Sequence, residues 1–222
     1  SSLATGRGGL PSAAEWPFVA AVVVLFVILA ARLLWSVGLS RAEAAVLAAG
    51  APALVLVDAP LGEIAPGMGL AANATGCVLP LALCAWVVAS RRFPLLEVAI
   101  LVGVAVLTAF MASHVVPNRG VMLQYRVPAL IVGALAAALL RDRPRLAGAA
   151  GFVAGAVGVL VGADLLHLRE LATVGAPGRV ILGGAGMLDG IVLVAVLSAG
   201  IAYVLATGFQ AIVKPKGRPS AG

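Results

Sequence analysis

Charge is scarce in this chain, and the scarcity excludes a water-soluble domain. Only 11% of the 222 residues are charged while 62% are hydrophobic, against roughly half apolar and about a quarter charged in soluble proteins. The composition therefore points to an integral membrane protein. Aromatics are few, at 5%, whereas glycine occurs 27 times, a balance that suits helices packed backbone to backbone in lipid. Cysteine is nearly absent. Cys77 and Cys84 lie seven apart in one apolar run, so as helix residues their Cα atoms sit about 10 Å apart, beyond the ~7 Å reach of a disulfide. No nucleotide loop, haem motif or nucleophile triad is present, and "GGAG" at 183–186 opens a hydrophobic run instead of following a strand, so no cofactor is expected.

The net charge of +6 does not indicate nucleic acid, because the basic residues stand singly or in twos and threes between apolar runs. They act as topology determinants. At about 17–25 apolar residues per crossing, seven spans are expected, at 17–37, 42–57, 70–90, 95–116, 121–140, 146–167 and 185–207. The second is short and contains Pro52. The fold class is thus an all-α, polytopic transmembrane helical bundle, with a tail at 1–16, a single transmembrane domain at 17–207 and a basic tail at 208–222. Connectors after the odd-numbered spans hold Arg41, Arg91, Arg92, Arg141, Arg143, Arg145, Lys214, Lys216 and Arg218, and the opposite side holds Arg7, Arg119, Arg169 and Arg179. Nine against four places the N-terminus outside and the C-terminus in the cytoplasm.

Under that topology the polar residues gather in the outer leaflet: Asp58, Asn73, Thr75, His114, Gln124, Tyr125, Arg126, Asp164, His167 and Asp189. Asp164 falls about a turn before one span ends and Asp189 about a turn after the next begins, so both lie roughly 6 Å below the same surface and can face each other. Gly148, Gly151, Gly155, Gly158 and Gly162 form a stripe for close helix contact, with Asp164 projecting from nearly the opposite face. An ionised carboxyl persists in hydrocarbon only with water, a partner or a proton. The candidate ligand-binding set is Asp164, Asp189, Arg126, His167 and Asn73, with Arg126 as counter-ion to the acids; no metal is assigned, since Asp164 and His167 have no further identified ligand. Plainer roles compete: an aspartate at a helix start complements the helix dipole, and Arg126 at a span end can snorkel to the surface.

Three segments carry a resemblance: "NATGCVLPLAL" at 73–83, "GVLVGADLLHL" at 158–168 and "GAPGRVILGGAGMLDGIVL" at 175–193. In these the sequence resembles the domain of unknown function 1614 family of prokaryotic membrane proteins, departing at Met187, Leu188 and His167. The resemblance implies a multi-pass protein of the prokaryotic inner (plasma) membrane and brings no activity with it. Three functions remain open. One is binding or transport of a cation, proton or small solute at Asp164 and Asp189. Another is intramembrane aspartyl hydrolysis by the same pair, which requires one shared proton. The third is a structural or accessory role, as a homo-oligomer or as a subunit of a membrane complex. The bilayer is the expected partner in all three.

Overall fold

The computed structural model describes residues 28, 31, 35, 39–54, 57–65, 67–90, 94–116, 120–173, 179–184 and 189–213. The tail at 1–16, all but three positions of the first expected span, and the end of the basic tail from 214 onward lie outside the described residues. So do Arg91, Arg92, Arg119 and Gly186.

Helix α1 (Arg41–Leu54) starts at a capping box: the Glu43 N–H donates to Ser40 Oγ at 3.2 Å, and the Ser40 N–H donates to Glu43 Oε2 at 2.7 Å. Its 14 residues include Pro52 and reach about 21 Å, short of the ~30 Å hydrocarbon core. Strands β1 (Asp58–Ala65) and β2 (Met68–Asn73) follow as an antiparallel pair. A π turn (Ala74–Val78) then leads into α2 (Leu79–Ser90). Helix α3 (Leu95–Met111), the hairpin β3 (Ser113–Val116) and β4 (Gly120–Leu123), and α4 (Arg126–Leu139) come next. Helix α5 (Pro144–Val159) continues through a π turn (Leu160–Asp164), a 3-10 turn (Leu165–His167) and α6 (Leu168–Thr173). Strand β5 (Arg179–Leu182) joins β2 in parallel, and α7 (Gly190–Val213) closes the chain.

The protein is mostly helical, and the expectation of an all-α bundle needs correcting at one end. Three of the expected spans are composites: 70–90 begins in β2, 95–116 ends in β3, and 121–140 begins in β4. Apolar runs look alike whether they coil or extend, and a chain that leaves the helix among apolar neighbours must still pair its backbone polar groups. The three-stranded sheet β1-β2-β5 and the β3-β4 hairpin provide that pairing. Two helices, Pro144–Thr173 and Gly190–Ile212, are long and apolar enough to cross a membrane; the segments Ala74–Ala89, Leu95–Met111 and Arg126–Leu139 are apolar but shorter.

Helix α5 is the central post, with every residue from Ala147 to Ala156 buried. Its glycines do not serve one partner as the stripe suggested. Gly151 and Gly155 meet α7, where an added Cβ would lie 2.9 Å from Ser198 O and 2.8 Å from Ala195 Cα. Gly158 and Gly162 meet α3 instead, against Ala105 and the Val106 carbonyl. The row divides because α7 and α3 clasp successive lengths of the same helix. Gly133 of α4 packs on α7, where an added Cβ would lie 2.7 Å from Ile201 Cβ, and the buried Ser198 hydroxyl reaches Ala129 O at 3.4 Å. At the end away from the sheets, Gln210 Nε2 donates to Asp142 O at 2.8 Å, tying α7 to the α4–α5 turn.

Candidate functional site

Asn73 joins the sheet to a helix. Register sets it opposite Asp58, and its Nδ2 donates to Asp58 Oδ1 at 3.0 Å and lies 3.5 Å from Val57 O. Its Oδ1 accepts from the N–H groups of Thr75 at 3.0 Å and Gly76 at 2.9 Å, so Asn73 is the cap of the helix that starts at the π turn. Expected as a ligand, it is occupied by architecture. The asparagine before a long apolar run was the sequence signal for this cap.

A second helix start lies beside the first. Strand β5 runs parallel to β2 and leaves it at Gly183, whose φ of +70° favours glycine. A Cβ there would come within 2.7 Å of Cys77 N, so the exit of β5 presses directly on the π turn. Asp189 then caps α7, its Oδ1 accepting from the Ile191 N–H at 2.9 Å. The sequence suggested an aspartate one turn inside its helix; the structure begins that helix at Gly190. Gly190 in turn fits close to Leu123 of β4 and Val159 of α5, with an added Cβ 2.8 Å from Leu123 Cδ2 and 3.6 Å from Val159 Cγ1.

Asp164 closes the π turn of the long helix and does not sit near its end, because residues 165–173 follow it in the same run. Gly162 holds this turn against α3. The Oδ2 of Asp164 is buried with no hydrogen-bond partner. Gly190, next to Asp189, packs on Val159, five residues before Asp164 in the long helix, and the buried Cys77 faces the β5 exit at Gly183. Cys77 thus stands at this junction, a residue that spacing alone marked only as out of disulfide reach of Cys84.

The remaining candidates lie apart or are engaged elsewhere. Arg126, the first residue of α4, is exposed, with its guanidinium 5.9 Å above its neighbour's ring, Tyr125. Among the described residues no ion pair joins it to Asp164. His167 is buried, its Nδ1 2.9 Å from Ala163 O. A carbonyl only accepts, so Nδ1 carries the hydrogen. Its ring lies 5.0 Å from that of Phe110. His114 is exposed on β3. Among the described residues no group of three or more His, Cys, Asp or Glu could hold a metal ion. A 280 Å³ groove between α1 and α2 is apolar apart from Glu43, whose carboxylate is held by the Ser40 N–H.

The model of the family described as "Protein of unknown function (DUF1614)" matches residues 42–201, a stretch that contains every candidate residue above. No curated protein and no solved structure matches the chain.

Proposed function

On the premise that this chain belongs to the DUF1614 family of proteins of unknown function, we propose that it is a multi-pass membrane protein binding a proton or small cation at Asp164 and Asp189. Family membership brings no chemistry, so the reading rests on the site. The observation that carries it is the buried, unpartnered Oδ2 of Asp164. A bare carboxylate oxygen in apolar surroundings is costly, and a proton or cation removes the cost.

Support for the bilayer comes from the outward faces of the helices, where Trp86, Leu96, Met111 and Ile212 are 63%, 72%, 76% and 79% exposed. Support for orientation comes from the end away from the sheets, which carries Arg141, Arg143 and Arg145 around the α4–α5 turn. By the positive-inside tendency that end faces the cytoplasm and the acidic site faces outward. A reporter active only in the cytoplasm, fused after residue 222, is expected to be active; a well-expressed, full-length fusion without activity would overturn this topology.

Binding is tested through stability. A ligand held only by the folded state raises stability by RT ln(1 + [L]/Kd), about 2.7 kcal/mol at ~100 times Kd. For a proton, folding then brings uptake, so stability rises as pH falls while the carboxylates of the unfolded chain remain ionised. The unfolding midpoint of the detergent-solubilised protein is expected to respond to pH, NaCl or KCl, and the response should vanish in Asp164→Asn. Equal responses in the parent and this variant would reject the binding site.

One observation also favours hydrolysis by the acid pair: Arg126, whose charge would oppose a shared proton, is not paired with Asp164. Against it, Asp189 Oδ1 is engaged as a helix cap. Cleavage of a reconstituted single-span peptide, lost in both Asp164→Asn and Asp189→Asn, would favour that alternative.

A further inference from the structure

We infer that the groove between α1 and α2 holds an acyl chain of an anionic phospholipid of the cytoplasmic leaflet, with the lipid phosphate gripped by Arg41; the leaflet rests on the orientation read above, the lipid site on the groove itself. The backbone sets the level of the groove. The Ala74 N–H donates to Val57 O at 2.7 Å, which joins the sheet-side ends of the two helices, and Arg41 and Ser90 each stand sixteen residues along the chain from that bond. The start of α1 and the end of α2 therefore lie at the end away from the sheets, the end that carries Arg141, Arg143 and Arg145. The 280 Å³ hollow lies between Ala42 and Val46 of α1 and Leu79, Ala82 and Trp86 of α2. Ala42 and Ala82 leave the space, and the exposed Val46 and Trp86 show that it opens outward, away from the bundle. An unfilled apolar hollow forfeits dispersion contacts, and a flexible acyl chain from the surrounding bilayer restores them.

Arg41 supplies the polar end. It is exposed, adjoins Ala42, and holds its guanidinium 4.8 Å from the centre of the Trp35 ring. Contact with a ring leaves the in-plane N–H fork of a guanidinium available, and that fork matches two phosphate oxygens. Among the described residues no hydrogen bond or ion pair engages it. Glu43, the acid of the groove wall, is buried with its carboxylate held by the Ser40 N–H at 2.7 Å, so the charge at the mouth is positive. Trp86 lies about one turn before the end of α2, the depth at which tryptophan favours the headgroup boundary. Basic pockets between membrane helices on the cytoplasmic side suit anionic headgroups.

The test follows the unfolding midpoint of the whole protein in detergent as phosphatidylglycerol, phosphatidylcholine with the same chains, or inorganic phosphate is added. Phosphatidylglycerol is expected to raise the midpoint more than phosphatidylcholine does, and inorganic phosphate, which brings no chain, should leave it unchanged. Arg41→Gln should weaken the phosphatidylglycerol response about tenfold in lipid concentration, to that of phosphatidylcholine. Ala82→Phe, at an exposed position from which the ring can enter the groove, should reduce the response to both lipids. Ala42→Phe gives the same comparison if that variant folds poorly. Equal responses to the two lipids, or a response to inorganic phosphate that matches phosphatidylglycerol, would overturn the headgroup contact. Responses unchanged in both groove variants would remove the acyl chain from the groove. No response to either lipid, with a lower midpoint in Ala82→Phe, would mean that a protein segment fills it, from this chain or a second copy. An inactive cytoplasmic reporter beside an intact phosphatidylglycerol response would overturn the leaflet and keep the site, whereas an active reporter without any lipid response would reject the site and leave the orientation standing.

Discussion

Gly162→Leu is expected to lower the unfolding midpoint in detergent far more than the same substitution at Gly103. At 162 the first added carbon would already overlap the Val106 carbonyl and lie 3.1 Å from Phe110 N. These are backbone atoms of α3, so relief requires moving a helix, and overpacking of this kind costs about 1–3 kcal/mol, sometimes more. Gly103 faces outward on the same α3, with nothing within 4 Å of an added Cβ, and leucine there gains helix propensity of up to about 1 kcal/mol. The substitution at 162 should also disturb the acid pair, since Asp164 closes the same π turn. Indistinguishable midpoints for the two variants would show that α3 and the long helix are not in contact at this level.

Asn73→Ala is expected to be the other strongly destabilising change. Its Oδ1 serves two buried N–H groups, those of Thr75 and Gly76, and its Nδ2 serves Asp58 across the sheet. Loss of a cap costs about 0.5–2 kcal/mol, and each buried donor left without a partner adds about 1–3 kcal/mol, so a net loss of about 3 kcal/mol is reasonable once relaxation is allowed. Asn73→Asp keeps the capping acceptor but sets a second carboxylate against Asp58, so its midpoint should fall between those of the parent and Asn73→Ala. The measurement also decides what Asn73 is for. An unchanged midpoint in Asn73→Ala, combined with loss of the pH or salt response, would make it a ligand residue after all.

The two helices Pro144–Thr173 and Gly190–Ile212 were readable because uninterrupted apolar sequence longer than a bilayer crossing leaves little alternative to a helix. Their ends were not. The run at 146–167 continues as helix to Thr173 because the polar stretch "LRELAT" still coils, as α6. The run at 185–207 starts late because Asp189 caps instead of coiling. Asp164 and Asp189 were singled out together, but their supposed equal depth was counted from boundaries that shifted on both sides. What relates their positions is the docking of Gly190 on Val159 and of Gly162 on α3. The place of Cys77 could not be read from spacing, because Gly183, which presses on it, lies more than a hundred residues away in the chain.

The amino-acid sequence by itself determined the apolar helical character, the glycine surfaces of α5 and the rarity that makes two acids conspicuous, since these follow from composition and local periodicity. Only the tertiary structure decided that parts of three apolar runs extend into strands, that β2 and β5 bring two capped helix starts side by side, and that Arg126 stands away from the acid it was expected to neutralise. The reason is physical: an apolar segment gains the same burial as helix or strand, and which one it adopts depends on where its backbone N–H and C=O groups find partners. Here β3 and β4 pair with each other across a short turn, and β2 pairs with the neighbouring β1 and the distant β5, and an apolar pattern holds no record of which pairing forms.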